Sequence, residues 1–197
     1  MIKIVDNFCP HIDRVRNSAL EAGFDTWLPN KGKVGSSVYE GMGFWGEHAS
    51  MLASVAQAME SFIYPNSMFF RVTTPETERA YIHSDRESGA YTCVAYLSDH
   101  PGEPYGTGFY RHVKTGMEEM PDLDQVDATL IDDMVSRNGW ELTRFVEGKY
   151  NRAVIFSAPL FHSRIPLDGI GITPDDARMV WVTHFHSPQS LLEKEYG

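Results

Sequence analysis

The feature that most restricts the fold of this chain is a change of pattern at Pro65. Beyond it, short segments rich in Val, Tyr, Phe and Thr are separated by clusters of Gly, Pro, Asp or Ser. These segments span residues 67–74, 81–85, 91–97, 108–113, 153–157 and 179–185. Such a series is typical of strands in an antiparallel sandwich or small barrel, and not of alternating strands and helices. The pattern therefore predicts a mainly β (α+β) fold.

Helical periodicity is concentrated before Pro65. Residues 12–22 and 47–62 place apolar side chains three or four positions apart, and a short strand is predicted at 2–5. Between the helices, the Gly-rich passage 32–46 predicts a loop that carries Tyr39, Phe44 and Trp45. The acidic stretch 117–148 contains a further helical pattern. We interpret it as an insertion that caps one end of the sheets within a single domain, because it is too short to form a second one.

The net charge of the chain limits the kinds of partner that it is expected to bind. The 17 Lys and Arg residues against 27 Asp and Glu residues give a net charge of −10, which disfavours binding to phosphate backbones and anionic lipid. We expect a small-molecule or peptide substrate, and neither a nucleic-acid nor a membrane partner. Cys9 and Cys93 form no CxxC spacing, and no apolar run approaches the roughly 20 residues of a membrane span. These features predict reduced thiols and a cytoplasmic location.

The sequence His83-Ser-Asp85 carries the most informative spacing. In a strand, residues i and i+2 face the same side about 7 Å apart, so this imidazole and carboxylate can bind one metal ion. A second histidine would complete a triad that leaves open positions on iron(II) for a cosubstrate and O2. The same spacing in His11-Ile-Asp13 falls within a helical pattern, where side chains i and i+2 diverge. From the residues alone, a hydrogen-bonded pair at a strand end explains His83 and Asp85 equally well.

The order of the motifs along the chain resembles that of a known enzyme superfamily. The motifs are Tyr81-Ile-His83-Ser-Asp85, Thr92-Cys-Val-Ala-Tyr96-Leu97-Ser98, Gly106-Thr-Gly108-Phe109-Tyr110, Asn151-Arg-Ala-Val-Ile-Phe156-Ser157, His162 and Arg178-Met-Val-Trp181. This order resembles the iron(II)/2-oxoglutarate-dependent oxygenases, and specifically their prolyl-4-hydroxylase-like branch. The resemblance implies a double-stranded β-helix, or jelly roll, with the N-terminal helices packed on one sheet and a helical insertion.

The resemblance also implies roles for individual residues. His83, Asp85 and His162 correspond to the iron ligands, although His162 lies between apolar runs that would also suit a buried core imidazole. Arg178 corresponds to the residue that binds the far carboxylate of 2-oxoglutarate, with help from the Tyr96 hydroxyl.

Two departures from the family pattern concern the cosubstrate site. The apparent inserted loop at 167–176 lengthens the gap before Arg178 and makes Arg164 a competitor for the carboxylate. Val180 stands where the family often has Ser or Thr.

On the last predicted strand, His184 and His186 repeat the i, i+2 spacing, but we do not expect them to bind metal, because no carboxylate lies beside them in the sequence and the family sheet is ending there.

The activity implied by the resemblance is that of a dioxygenase. Such an enzyme uses Fe(II), 2-oxoglutarate and O2 to hydroxylate an unactivated C–H bond, here of an amino acid, a peptide or another small metabolite, and releases succinate and CO2. Retention of Asp85 disfavours halogenation, in which a halide replaces that ligand. The alternative from another class is a cupin-like or lectin-like jelly roll that binds a ligand without turnover, which would need neither open iron positions nor a cosubstrate arginine.

Overall fold

Strands dominate the part of the chain that a computed structural model describes, namely residues 1–22, 37–39, 45–73, 81–100, 104–122, 126, 128–171, 173 and 176–196. The strands are β1 (Ile2–Asp6), β2 (Ser37–Tyr39), β3 (Tyr64–Thr73), β4 (Tyr91–Tyr96), β5 (Gly106–His112), β6 (Trp140–Glu147), β7 (Arg152–Ser157), β8 (His162–Ile165) and β9 (Arg178–His186). The helices are α1 (Ile12–Ala22), α2 (Trp45–Met59), α3 (Ala128–Ser136) and α4 (Pro188–Tyr196). None of the helices in these described ranges combines the length and apolarity needed to cross a membrane.

The strands form two antiparallel sheets. The larger sheet has the order β1-β7-β4-β9-β3-β2, and the smaller sheet has the order β6-β5-β8. Central strand β9 is buried over its first eight residues, because it is covered on both faces. Its side chains alternate: Trp181 and Phe185 pack toward the helices, whereas Val180 and Val182 pack toward the smaller sheet. Strand periodicity thus gives the sheet one apolar face and one face that shapes a cavity.

Helices α1 and α2 cover the outer face of the larger sheet. Val15 and Ala19 lie one helical turn apart on α1, are fully or almost fully buried, and share an apolar cluster with Met51 of α2 and with the sheet. A hydrogen bond also joins helix and sheet: Trp181 Nε1 donates to His48 Nδ1 at 2.9 Å. Burial lowers the pKa of His48, which favours the neutral imidazole that this contact requires.

A second apolar cluster lies between the sheets and supports the cavity. Tyr96, Phe109, Phe156 and Val180 belong to it and come from both sheets. The Phe109 and Phe156 rings meet edge to face with centroids 5.1 Å apart, an arrangement that aromatic quadrupoles favour. This packing fixes the positions of the inward side chains of β4, β5 and β9 relative to one another.

Three expectations differ from the observed fold or fall outside it. Residues 81–85 form an isolated β-bridge at His83 instead of a full strand. The predicted capping insertion 117–148 contains α3, but it ends in β6, which pairs with β5 as part of the smaller sheet. Within the predicted Gly-rich loop, residues 37–39 form β2 and α2 begins at Trp45, whereas Phe44 and the side chains of Tyr39 and Trp45 lie outside the described residues.

Candidate metal centre

Backbone pairing brings two distant histidines together. His83 N–H donates to the carbonyl of His162 at 3.0 Å, and His162 N–H donates to the carbonyl of His83 at 2.8 Å. Asp85 N–H donates to the carbonyl of Ala158 at 2.9 Å and extends this contact by two residues. The segment after β3 is therefore fixed against the start of β8, with both imidazoles and the Asp85 carboxylate at one end of a cavity.

The three side chains have the spacing of a metal site. One ligand atom from each of His83, Asp85 and His162 lies within 4.8 Å of the others. His83 Nε2 is 3.6 Å from Asp85 Oδ1, and His162 Nε2 is 3.3 Å from Asp85 Oδ2. Two atoms bound about 2.1 Å from one ion at a right angle lie about 3 Å apart. These residues therefore fit a divalent ion with only small movements of the side chains.

The other ring nitrogens orient both imidazoles. His83 Nδ1 donates to the carbonyl of Tyr81 at 3.1 Å, and His162 Nδ1 donates to the carbonyl of Leu160 at 2.9 Å. A carbonyl only accepts, so each Nδ1 carries the proton and each Nε2 presents its lone pair to the cavity. Both histidines are thus held in the tautomer and direction that a metal ligand needs.

The protonation states suit the same role. Burial is the largest cause that lowers the pKa of His83, to about 4, against the opposing effects of the Asp85 charge and of the contact with the Tyr81 carbonyl. This imidazole is therefore neutral at physiological pH. Burial opposes ionisation of Asp85, but the neighbouring imidazoles of His162, His184 and His83 outweigh it and hold the Asp85 pKa well below its usual value.

Asp85 is held by a network that the sequence did not reveal. Thr92 Oγ1 donates to Asp85 Oδ2 at 2.9 Å, and His184 Nε2 lies 3.3 Å from the same oxygen. Ser67 Oγ in turn contacts His184 Nδ1 at 2.6 Å. Because Oδ2 receives these contacts, Oδ1 is the carboxylate oxygen better placed for an ion.

Strand β9 is longer than the sequence predicts, and its two histidines have different surroundings. β9 runs to His186, so His184 lies within the sheet, opposite Thr92. His184 also lines the cavity, but it falls outside the group of three potential ligands. His186 is paired with Tyr64 at the strand end and does not line the cavity. The alternation of side chains along a strand could have located His184, because His184 and Arg178 are an even number of residues apart and so lie on the same face of β9.

Two arginines lie in the cavity away from the histidine pair. Arg178 is 5% exposed, and its guanidinium carbon is 5.7 Å from the centroid of the Tyr96 ring. The Tyr96 hydroxyl is 2.7 Å from Thr107 Oγ1, and Thr107 is the register partner of Arg164 on β8. The sequence candidates Arg178 and Tyr96 are therefore in contact, and Arg164 lines the same cavity from the strand beside Thr107.

The cavity itself is small. Its volume is about 230 Å³, just below the roughly 300–1,000 Å³ of typical small-molecule sites. Val94, Val180 and Val182 contribute apolar wall. Trp140 does not line the cavity: it packs against the apolar cluster that includes Phe161, and its indole donates to the carbonyl of Asp133 at 2.9 Å.

Comparison with known proteins gives one family match and several structural likenesses. A protein-family model described as "Family of unknown function (DUF6445)" matches residues 1–177. No curated protein matches the sequence.

The structural likenesses are to enzymes of low sequence identity. SnoK, a non-heme alpha ketoglutarate dependent carbocyclase from nogalamycin biosynthesis, aligns with a TM-score of 0.60 at 12% identity, over 93% of this chain and 78% of SnoK. HygX from Streptomyces hygroscopicus, solved with nickel, 2-oxoglutarate and hygromycin B, gives 0.58 at 12% identity over 95% and 83%. EctD from S. alaskensis, solved with bound Fe, gives 0.55 at 12% identity over 96% and 73%. These likenesses confirm the antiparallel jelly-roll architecture expected from the sequence.

The geometry of the triad predicts the effect of removing one side chain. His162→Ala should weaken Mn(II) binding at least tenfold, because it removes one of three ligand atoms, as followed by the electron paramagnetic resonance signal of free Mn(II). The matched control is His11→Ala, which changes the histidine of the other H-x-D sequence, at an exposed position directly before α1. Equal Mn(II) affinities in the two variants, both folded by circular dichroism, would place the ion elsewhere.

Proposed function

The chain belongs to the family of unknown function DUF6445, and we propose that it is an iron(II)- and 2-oxoglutarate-dependent dioxygenase. The observation that carries this proposal is one cavity with two different ends. His83, Asp85 and His162 converge at one end, and Arg164 and Arg178 lie on its wall around the Tyr96 hydroxyl. A keto acid with carboxylates at both ends has the chemistry to bridge them.

In this proposal, His83 Nε2, His162 Nε2 and Asp85 Oδ1 hold the iron. Three protein ligands leave neighbouring positions open, as a bidentate keto acid and O2 require. Bound iron(II) would supply the redox chemistry that activates O2. Thr92 and His184 both contact Asp85 Oδ2. These two contacts fix the orientation of the carboxylate.

The rest of the cavity would bind and shield the cosubstrate. Arg178 offers a planar pair of donors that suits the far carboxylate of 2-oxoglutarate, and the Tyr96 hydroxyl lies beside it. The valine side chains exclude water from the space between the two ends. The overall reaction places one oxygen atom of O2 in succinate and the other in a new hydroxyl group. The keto acid and the C–H bond each supply two of the four electrons.

The proposal also includes the branch of the superfamily, the type of reaction, the partners and the location of the protein. The order of the motifs supports the prolyl-4-hydroxylase-like branch and a hydroxylation of an amino acid, a peptide or another small metabolite. The net charge of −10 supports an enzyme that binds neither nucleic acid nor membrane, and two cysteines without CxxC spacing support a cytoplasmic location. A jelly roll that only binds a ligand has no need for two buried arginines opposite a three-ligand centre, so the geometry favours the enzyme over this alternative.

The central test is the release of succinate from 2-oxoglutarate in the presence of Fe(II), ascorbate and pools of amino acids and peptides. The native chain should produce succinate, and Asp85→Ala should abolish it while the fold is kept, because the change removes a ligand and no core contact. Asp13→Ala, the acid of the helical H-x-D sequence, should retain the native rate. Succinate release that persists in Asp85→Ala would refute the proposed centre.

The choice between the two arginines gives a second test. Arg178→Ala should raise the apparent constant for 2-oxoglutarate at least thirtyfold, since a lost charge-assisted bidentate contact costs roughly 2–5 kcal/mol, and about 1.4 kcal/mol is tenfold. Arg164→Ala should have a much smaller effect, because the Arg178 guanidinium lies over the Tyr96 ring, whereas Arg164 stands opposite Thr107 on the smaller sheet. Steady-state kinetics measures both constants, and the reverse order would assign the far carboxylate to Arg164.

A further inference from the structure

A row of polar side chains crosses the larger sheet beside the candidate centre. Ser67 on β3, His184 on β9 and Thr92 on β4 lie side by side, because His184 is the register partner of both of the others. Residues directly opposite one another place their side chains on the same face of a sheet. His184 and Thr92 line the cavity, so the Ser67–His184–Thr92 row lies on the face that carries the metal end.

Two members of the row contact the same carboxylate oxygen. Thr92 Oγ1 donates to Asp85 Oδ2 at 2.9 Å, and His184 Nε2 lies 3.3 Å from that oxygen. A carboxylate only accepts, so His184 Nε2 carries the proton of this contact. In the neutral ring Nδ1 then accepts, and the Ser67 hydroxyl lies 2.6 Å from it as the donor. Ser67 thus holds His184 in the tautomer that donates to Asp85.

The row is shielded from water. Thr92 and His184 are 1% and 8% exposed, and the Phe69 ring lies 6.0 Å from the His184 ring. Thr183 Oγ1 also donates to the carbonyl of Ser67 at 2.7 Å, which fixes the backbone that carries the Ser67 hydroxyl. Burial gives water little access to these donors, and it strengthens both contacts with the carboxylate.

The contacts decide how the carboxylate of Asp85 can bind an ion. Each oxygen of an ionised carboxylate has two lone pairs in its plane. The two donors of the row use both lone pairs of Oδ2, whereas Oδ1 faces His83 Nε2 at 3.6 Å. His162 Nε2 also lies 3.3 Å from Oδ2, but it carries no proton to donate. An ion held by the two histidines therefore meets a lone pair on Oδ1 and none on Oδ2.

The number of oxygens that Asp85 contributes sets the number of open positions on the ion. A six-coordinate ion held by two imidazole nitrogens and one carboxylate oxygen keeps three open positions, which a bidentate keto acid and O2 together fill. Carboxylates can also bind a metal through both oxygens. A second bond from Asp85 would leave two positions, and the keto acid would take both. One donor pair on Oδ2 thus protects the position that O2 needs.

We propose that the Ser67–His184–Thr92 row restricts Asp85 to one metal bond and so keeps the third position of the ion open. All three are positioning residues, since they act through Asp85. The assignment rests on the proposed dioxygenase function, from which it takes the metal and its three ligands. It goes beyond orientation of the carboxylate, because it assigns to the row the number of positions available to the cosubstrate and O2.

The test counts the water molecules on Mn(II) bound to the full chain, from the electron paramagnetic resonance of samples in ¹⁷O-enriched water. The native protein should hold three waters, one for each open position. His184→Leu frees one lone pair of Oδ2, so the count should fall to two. Mn(II) affinity should change less than tenfold, because the second carboxylate bond replaces the lost contact. His184→Gln, whose amide N–H can reach the same oxygen, should keep three waters.

A second pair of variants repeats the count with less disturbance of the fold. Val has nearly the shape of Thr and no hydroxyl, so Thr92→Val removes only the other donor to Oδ2. Its count should also fall to two, and Thr92→Ser, which keeps the hydroxyl, should hold three. Ser67→Ala removes the donor to His184 Nδ1 and should give a mean count between two and three.

The controls separate this inference from the proposed centre. His186→Leu, which changes the histidine of β9 that does not line the cavity, should keep three waters. Absence of Mn(II) binding to the native chain, or a native affinity equal to that of His162→Ala, would overturn the proposed centre together with this inference. If Mn(II) binds there, three results would overturn the role of the row alone. They are two waters in the native protein, three waters in His184→Leu or Thr92→Val, or an affinity loss in His184→Leu as large as in His162→Ala, which would make His184 a ligand.

Discussion

The candidate centre depends on a short piece of backbone pairing between His83 and His162. Two hydrogen bonds between these residues join the segment after β3 to the start of β8, and together with the bond from Asp85 N–H to the carbonyl of Ala158 they set the distance between the imidazoles. The Nδ1 contacts with the carbonyls of Tyr81 and Leu160 then turn both rings toward the same point. Since each carbonyl belongs to the residue two positions before its histidine, local backbone geometry fixes ring orientation once the pairing is made.

The alternation of side chains along the strands determines which residues face the cavity. On β9, alternate residues place Arg178, the two valines and His184 on one face and Trp181 on the face covered by helices. The same strand thereby anchors the helical layer, places His184 between Ser67 and Thr92, and supports the carboxylate of Asp85. A shift of this strand by one residue would exchange every one of these side chains with a core side chain. The buried helical layer around Trp181 and His48 is thus what keeps the centre in register.

The sequence predicts the strands that are rich in Val, Tyr and Phe, and it misses the four-residue β8, although three of its residues are buried. β4, β7 and β9 were recognised from their Val, Tyr and Phe content, whereas β6 was included in an insertion because most of its side chains are exposed. The spacing of His83 and Asp85 predicted their proximity. Neither the contact of His184 with Asp85 nor its contact with Ser67 could be predicted, because both follow from register. Met68, Phe69 and Phe70 are apolar in succession, so the pattern of β3 does not indicate which face carries Ser67.

Diffraction from crystals grown with Mn(II) and 2-oxoglutarate tests the central claim most directly, because the anomalous signal locates the ion and the electron density of the same crystal locates the cosubstrate. The account predicts one strong manganese peak about 2.2 Å from Nε2 of His83, Nε2 of His162 and Oδ1 of Asp85. The keto acid should extend from that ion toward Arg178. A manganese peak among the acidic residues of 118–133, or a keto acid bound away from the three side chains, would contradict it.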